Sequence, residues 1–476
     1  IVKASLTAKK LKVNAIAGSG KTSTLAMIAQ ANIQPSLYIA FNKAIAEEAS
    51  QKFPSHVECR TTHSLAFAKF GRKLIHKLNR PKGGYVNVAG TAREIAIYYK
   101  INPIQGDDEE VVTDITLAAL VKDAVRRYEQ SSDQELSKEH ISFYKVKDIV
   151  EKRPSISSAS VVAEVFKHTK RLWRDRIDVH SNVLATHDTY LKMWQLSNPK
   201  LDYDIIYLDE AQDTGDTVLD VVSKQDHTKV ILVGDSFQSI YQWRGAVNAM
   251  EKVACPTKIL SKSFRYGQDI ANLASAIINH EIMIEGNSQI DSKVLHSCDE
   301  VDIKFPYTKL YRTNGALLSD AVSFAVQGVE ISCEVDTRDF KKLLDSAIAL
   351  REGNIKQVRH DDLVMFSNWD ELKEAAAEEQ EYKKIVSVVE SGQASLILSY
   401  IPQMTKKDNA EVILTTAHKS KGREWDTVVL ANDFPSCNSE GSMPDQERNL
   451  LYVAATRAQK TLVMNETCEM IMDIRG

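Results

Sequence analysis

No apolar run in this chain approaches the ~20 residues that span a bilayer, so a transmembrane protein is not expected. No leader pattern of charged segment, apolar core and small-residue cleavage site stands at Ile1. Cysteine is sparse. The six residues, Cys59, Cys255, Cys298, Cys333, Cys437 and Cys468, are scattered and none makes C-x-x-C. Neither a zinc site nor a disulfide framework is indicated, and the expected setting is reducing and intracellular, cytoplasm or nucleus. Excess positive charge is missing too, with 60 Lys and Arg against 64 Asp and Glu, a net charge of −4. That argues against a protein coated in positive charge but allows a local basic groove. What is present is length. At 476 residues the chain exceeds one hydrophobic core, which predicts roughly three domains.

One glycine is missing where a pattern asks for it. The stretch VNAIAGSGKTSTLA (13–26) nearly fits G-x-x-x-x-G-K-[ST], but Ala15 holds the first glycine position. LKVNAIA (11–17) reads as a short buried strand and STLAMIAQA as a helix. Strand, glycine-rich turn and helix are the context a phosphate loop requires. Gly18 and Gly20 let backbone N–H groups approach a phosphate with no Cβ in the way, and the helix N-terminus adds favourable partial positive charge. Lys21 can reach β- and γ-phosphates, and the Thr22 hydroxyl can hold Mg²⁺. The candidate nucleotide-binding run is Ala17, Gly18, Ser19, Gly20, Lys21, Thr22 and Ser23.

A phosphate loop needs an acidic partner on a neighbouring strand. DIIYLDEAQD (204–213) supplies one: IIYL is an apolar run typical of a buried parallel strand, ending in Asp209 and Glu210. Asp209 would hold Mg²⁺ through water, and Glu210 would act as general base on the attacking water. A third such strand, KVILVGD (229–235), leads into SFQSIYQWRGA. Gln238 could sense the γ-phosphate there. Tyr241, Trp243 and Arg244 form an aromatic–basic cluster suited to stacking on unpaired bases.

The ordered run of motifs resembles superfamily 1 helicases of the UvrD/Rep type. AGSGKT (17–22) resembles motif I, in which that family commonly carries Ala at the position of Ala15. AFNKAIAEEA (40–49) and TTHSLAF (61–67) are similar to motifs Ia and Ib, LDEAQD (208–213) to motif II, and VGDSFQSIYQWRGA (233–246) to motif III. SFRYG (263–267) and LYRTNGAL (310–317) resemble the segments around motif IV, TTAHKSKGREWDTVVL (415–430) motif V, and ERNLLYVAATRAQK (447–460) motif VI. Within the family, THDTYLKMWQLSNPKLDYDIIYLDEAQD (186–213) is especially similar to the F-box DNA helicase branch, although nothing in the chain resembles an F-box.

The resemblance implies an α/β fold of two RecA-like P-loop domains with parallel sheets, an ATP cleft between them and DNA across their top. It places the first domain at 1–72 and 200–270, a mainly helical 1B insertion at 73–199, the second domain at 271–318 and 395–476, and a reduced 2B insertion at 319–394. Arg265 and Arg457 match arginines that reach the γ-phosphate from the second domain's side. Phe264 matches a ring that stacks on adenine, and Glu424, beside Gly422, a carboxylate that contacts the nucleotide sugar. Phe41, Asn42, Thr62, His63, Tyr241, Trp243, Arg244 and His418 match positions near single-stranded DNA. Residues 1–12 hold no glutamine, so the adenine-reading Q motif is expected before Ile1.

The implied function is an ATP- and Mg²⁺-dependent DNA helicase, acting as a monomer and moving 3′→5′ on single-stranded DNA. It would unwind duplex at single/double-strand junctions in repair, recombination or replication. One alternative is a translocase that strips proteins such as recombinase filaments from the strand. Another is a nucleotide-gated interaction module. Lys167, Lys170, Arg171 and Arg174 in the 1B insertion could face a DNA backbone or simply form a solvated helix face.

Overall fold

The computed structural model describes residues 1–78, 89–107, 109–242, 245–298, 303–334, 337–360, 362–364, 366–378, 380–401 and 410–475. Its frame is two six-stranded sheets. In the first, β1 (Lys10–Ala15), β2 (Ser36–Ala40), β3 (Val57–Thr61), β6 (Ile205–Leu208), β7 (Lys229–Gly234) and β8 (Thr257–Leu260) run in the order β3-β2-β6-β7-β1-β8. Between β3 and β6 a small antiparallel pair, β4 (Ile104–Gln105) and β5 (Val111–Val112), belongs to the intervening insertion. The second sheet holds β9 (Lys293–Leu295), β10 (Tyr307–Tyr311), β11 (Ile331–Cys333), β12 (Val412–Thr416), β13 (Trp425–Leu430) and β14 (Ala458–Val463), ordered β11-β12-β10-β13-β14-β9. Every pairing within both large sheets is parallel.

Buried parallel strands must be apolar on both faces. β2 and β6 are, with every residue of SLYIA and IIYL buried. Leu37, Ile39, Ile206 and Leu208 face one core, while Tyr38, Ile205 and Tyr207 face the other. Alternation of the side chains across the strand puts the two sets on opposite faces.

The insertion between β3 and β6 is mainly helical. Its principal helices are Ala92–Tyr99, Asp114–Gln130, Phe143–Glu151, Ser158–Ile177 and His187–Leu196. Each starts at a Ser or Thr whose hydroxyl accepts a first-turn N–H: Thr91, Thr113, Ser142, Ser157 and Thr186. Such caps satisfy donors that a helix end leaves open. Leu117, Val121, Ala124 and Val125 meet Val161, Val165 and Leu172 in one core, the three- and four-residue spacing of paired helices. A buried Arg176–Glu129 ion pair at 2.8 Å, joined by Thr189 Oγ1 at 2.6 Å, ties three of these helices together.

A second helical lobe, Thr337–Arg351, Trp369–Glu378, Gln380–Glu390 and Gln393–Tyr400, has its own small core around Leu344, Leu350, Leu363 and Leu372. It overlaps the stretch 319–394 expected as an insertion, which also holds elements of the second sheet. β11 lies inside that stretch yet pairs with β12 in the second sheet, and helix Asn314–Val326 packs its Leu317, Leu318 and Ala321 on the same sheet. Ile331, Ser332 and Cys333 are buried, but three residues are too few for a recognisable strand period. The lobe therefore starts after Cys333 and runs to Tyr400.

The halves are not separate globules. One core cluster contains Ile16, Ala17, Phe237 and Ile240 beside Tyr266, Leu450, Tyr452 and Val453. Among the described residues no helix is long and apolar enough to cross a membrane.

Candidate nucleotide cleft and nucleic-acid face

β1 ends at Ala15, which is fully buried and in register with Leu260 of β8. The strand continues regularly there, so the position has no need of glycine. The left-handed conformations come later, at Gly18 (φ +75°) and Gly20 (φ +77°). Ser19 closes the loop by donating its N–H (3.1 Å) and its hydroxyl (2.7 Å) to the Ile16 carbonyl. Gly20 then caps helix Lys21–Ala31 with no side chain to satisfy its first N–H groups. Open donors plus the helix dipole make an anion site.

Opposite the loop, β6 delivers Asp209 and Glu210. Asp209 is buried and accepts the Tyr38 hydroxyl. Burial and the adjacent Glu210 carboxylate push its pKa upward. Glu210 sits at φ +49°, a costly conformation for a side chain with a Cβ and one that functional sites concentrate. Its Oε1 lies 3.3 Å from Lys21 Nζ. Burial alone would raise the Glu210 pKa, but Lys21 and Lys421 more than offset it and hold the carboxyl well below its ordinary value. Lys21 is the mirror case. Burial pulls its ammonium down, and Glu210, Asp235 and Asp209 together hold it above the usual value.

Thr22 and Asp209 supply hard oxygen donors of the kind Mg²⁺ prefers. Among the described residues no group of three or more His, Cys, Asp or Glu side chains forms a metal cage.

Asp235, fully buried at the end of β7, organises the floor. It accepts Gln238 Nε2 at 2.7 Å, the Phe237 N–H at 3.1 Å and the Tyr452 hydroxyl at 3.2 Å. Tyr452 comes from helix Asp445–Ala455 of the second half, and its hydroxyl oxygen also accepts the Ala17 N–H at 3.1 Å. One phenol thus joins the phosphate loop, the β7 terminus and the second half.

The far wall starts at Ser263. Its hydroxyl donates to the Ala17 carbonyl at 3.0 Å, and the Phe264 N–H donates to the Gly18 carbonyl at 2.8 Å. The Phe264 ring is left exposed. Arg265 donates to Glu424 at 2.7 Å and to the Thr456 carbonyl at 3.1 Å. Arg457 is almost wholly buried, anchored on the Val453 carbonyl (2.8 Å), the Arg423 carbonyl (3.2 Å) and Thr456 Oγ1 (3.1 Å). Burial and neighbouring Arg265 pull its pKa down to about 9.

These walls enclose a cavity of about 670 Å³. Gly18, Ser19, Gly20, Lys21, Thr22, Ser23, Glu210, Gln238, Phe264, Arg265, Gly422, Glu424 and Arg457 all line it. Ala17 lies buried beneath the loop. Asp209 lines a smaller neighbouring cavity of about 200 Å³. The expected partner of Glu424 was a sugar; in the structure Glu424 holds Arg265 with one oxygen and Gln459 with the other.

Of the candidate DNA contacts, Phe41, Thr62, His63 and Tyr241 line the smaller cavity, while Phe41, Asn42 and Tyr241 also reach the larger one. The Phe41 and Tyr241 rings stack with centroids 6.2 Å apart. Tyr241 donates its hydroxyl to the His418 carbonyl at 3.2 Å. Trp243 and Arg244 lie outside the described residues. The four candidate backbone-facing cations of helix Ser158–Ile177 are held locally: Lys167 by Glu164, Lys170 over Phe166, Arg171 over Tyr99, and Arg174 by Asp175.

Sequence reasoning did not single out Tyr38, Asp213, Asp235, Tyr452 or Lys421. Asp235 carried a readable signal, a carboxylate at the carboxyl end of a buried strand. The others work through contacts distant in sequence.

Two parallel sheets meeting at a phosphate loop, with Arg265 and Arg457 lining the same cavity as its lysine, define a P-loop NTPase with two RecA-like domains. The chain belongs to the UvrD-like helicase family: residues 2–252 match the UvrD/REP helicase N-terminal domain and residues 329–468 the UvrD-like helicase C-terminal domain. It is similar to F-box DNA helicase 1 of Gallus gallus, 31% identical over 523 residues that cover 98% of this chain and 48% of that protein. F-box DNA helicase protein 1 of Schizosaccharomyces pombe is 29% identical over 502 residues, 96% of this chain and 55% of that protein. ATP-dependent DNA helicase PcrA of Leuconostoc citreum is 32% identical over 130 residues, 25% of this chain and 17% of that protein. The chain thus spans about half the length of the two F-box helicases.

Proposed function

We propose that this chain is an ATP-driven DNA motor that moves 3′→5′ on single-stranded DNA and unwinds duplex ahead of it, in repair, recombination or replication. The observation that carries this reading is the composition of the cleft. Lys21 and Glu210 come from the first sheet's half, Arg265 lies on the segment docked against the loop, and Arg457 comes from the second half, all lining one cavity. Phosphoryl transfer is accelerated mainly by positioning and by neutralising charge on the transferred group. In this reading Lys21 steadies the β- and γ-phosphates, with Mg²⁺ held at Thr22 and Asp209. Glu210 accepts a proton from the attacking water, and Gln238 reads the γ-phosphate. Arg265 and Arg457 neutralise the charge that develops on it. Because donors sit on both walls, hydrolysis is fastest when the cleft is closed, and each turnover moves one sheet relative to the other. Tyr241 sits at both cavities, where that movement meets the strand. The 3′→5′ direction comes from the family.

Partial duplexes with a single 3′ or 5′ tail test it. Unwinding that needs ATP and the 3′ tail is the expected result. Unwinding with the 5′ tail alone overturns the polarity, and ATP turnover without unwinding from either tail overturns the helicase reading.

A further inference from the structure

We propose that Phe143 and Tyr144 form a stacking platform for unpaired DNA bases on the helical insertion, beyond the motor's own strand contacts. The two rings open helix Phe143–Glu151 and are 71% and 82% exposed. Large aromatic side chains normally contribute to stability by leaving water. These do not. The helix is held by Val146 and Ile149, buried in the insertion core, and is capped by the Ser142 hydroxyl. Its fold has no use for the rings, which sit edge to face with centroids 6.0 Å apart.

What surrounds them favours a polyanion with flat bases. Lys145 Nζ lies 3.5 Å from Asp123, and Arg126 lies 2.7 Å from the same carboxylate. Two half-exposed cations share one largely buried anion, leaving local positive charge. The track is also continuous with the candidate DNA face. Arg126 donates to Gln130 Oε1 at 3.4 Å, Gln130 donates to Asp188 at 3.1 Å, and Asp188 faces His63 at 3.8 Å. Asp123, Arg126 and Gln130 share one helix face through their three- and four-residue spacing. From Asp123 to Gln130 that face runs ~10 Å. A strand leaving His63 along it would present phosphates to Arg126 and Lys145 and bases to the rings. Aromatic stacking plus a cationic track is how proteins hold single strands without sequence preference.

The platform rests on the DNA-motor reading, so its test separates the two. Oligo-deoxythymidylates of graded length are titrated into the native chain and a Phe143→Ala/Tyr144→Ala variant. Binding is read by fluorescence anisotropy without ATP, and ATP turnover is read alongside. For the native chain, affinity should keep improving with length after turnover has reached its maximum. The variant should match the native chain on short strands and in Tm, and bind long strands about tenfold or more weakly. Phe143→Trp should retain the native length dependence. Equal affinities at all lengths overturn the platform, as does an equal loss at every length. If turnover ignores DNA while the variant still loses length-dependent binding, the platform stands and the motor reading falls. If the rings serve a protein partner instead, DNA affinity stays native and the proposal fails.

Discussion

Lys421 reaches from the second half of the molecule to Asp213 in the first: its ammonium donates to that carboxylate and, at 2.6 Å, to the Gln238 carbonyl. The same ammonium lies 5.2 Å from the centre of the Tyr241 ring. One side chain therefore touches the segment after Glu210, the γ-phosphate candidate Gln238 and the aromatic at both cavities. Burial pushes the Asp213 pKa up to about 6 even with Lys421 beside it, so the carboxylate depends on that partner.

Breaking one side of a buried pair is costly because a charge is left without compensation. Lys421→Ala is expected to lower Tm by several degrees and to reduce DNA-stimulated turnover more than basal turnover. Pairing Lys421→Met with Asp213→Asn should restore most of the Tm but not the stimulation. Thermal melts and ATPase assays on the single and the double variant check this; full recovery of stimulation in the double variant would mean the pair serves stability alone.

Arg265 and Glu424 separate a charge donor from its support. Arg265→Ala removes a guanidinium facing the cavity and should lower kcat by about 10³-fold or more. Glu424→Ala frees Arg265 without removing it, so the loss should be far smaller and appear mainly in KM for ATP. Equal losses in kcat would contradict this division of roles.

The two left-handed glycines differ in what surrounds them. A Cβ on Gly18 would meet Arg265 Cβ and Ser263 Oγ at 2.6 Å, whereas on Gly20 it meets nothing nearer than 4.0 Å. Gly20→Ala should cost the left-handed backbone penalty, about 1–2 kcal/mol. Gly18→Ala adds displacement of the 263–265 segment, so it should lose more stability and more nucleotide affinity. Melts and binding of a non-hydrolysable ATP analogue compare them, and the reverse order would contradict the docking described.

The sequence carried the near wall of the cleft and both arginines because each belongs to a short motif whose spacing is itself the geometry. Lys21 and Thr22 start a helix right after a turn, and Glu210 ends a run of four buried residues. Tyr452 and Lys421 were also inside recognised motifs. Their roles stayed hidden because each is defined by a contact more than 180 residues away, Tyr452 with Asp235 and Lys421 with Asp213 and Gln238. The hold of Glu424 on Arg265 stayed hidden for the same reason, since the two lie 159 residues apart. β11 escaped notice because three residues carry no period.

Lys192 gives a pH signature within the insertion. It is buried 4.4 Å from the centre of the Tyr128 ring and donates to the Ser131 and Asp133 carbonyls. Burial pulls its pKa from 10.5 down to about 8. In that window the unfolded chain binds this proton more tightly than the folded one, so Lys192 makes stability rise with pH above about 8 and adds no slope below it. The Tm of the native chain minus that of Lys192→Met should climb between pH 8 and 10. A flat difference would contradict the burial argument.

The central claim is that the cleft hydrolyses ATP in response to DNA. Its most direct measurement is steady-state ATP turnover with and without single-stranded DNA, in the native chain and in Glu210→Gln. Strong stimulation by the strand, abolished in Glu210→Gln while nucleotide binding persists, is the predicted result. Turnover indifferent to DNA, or a Glu210→Gln variant that keeps its activity, would contradict it.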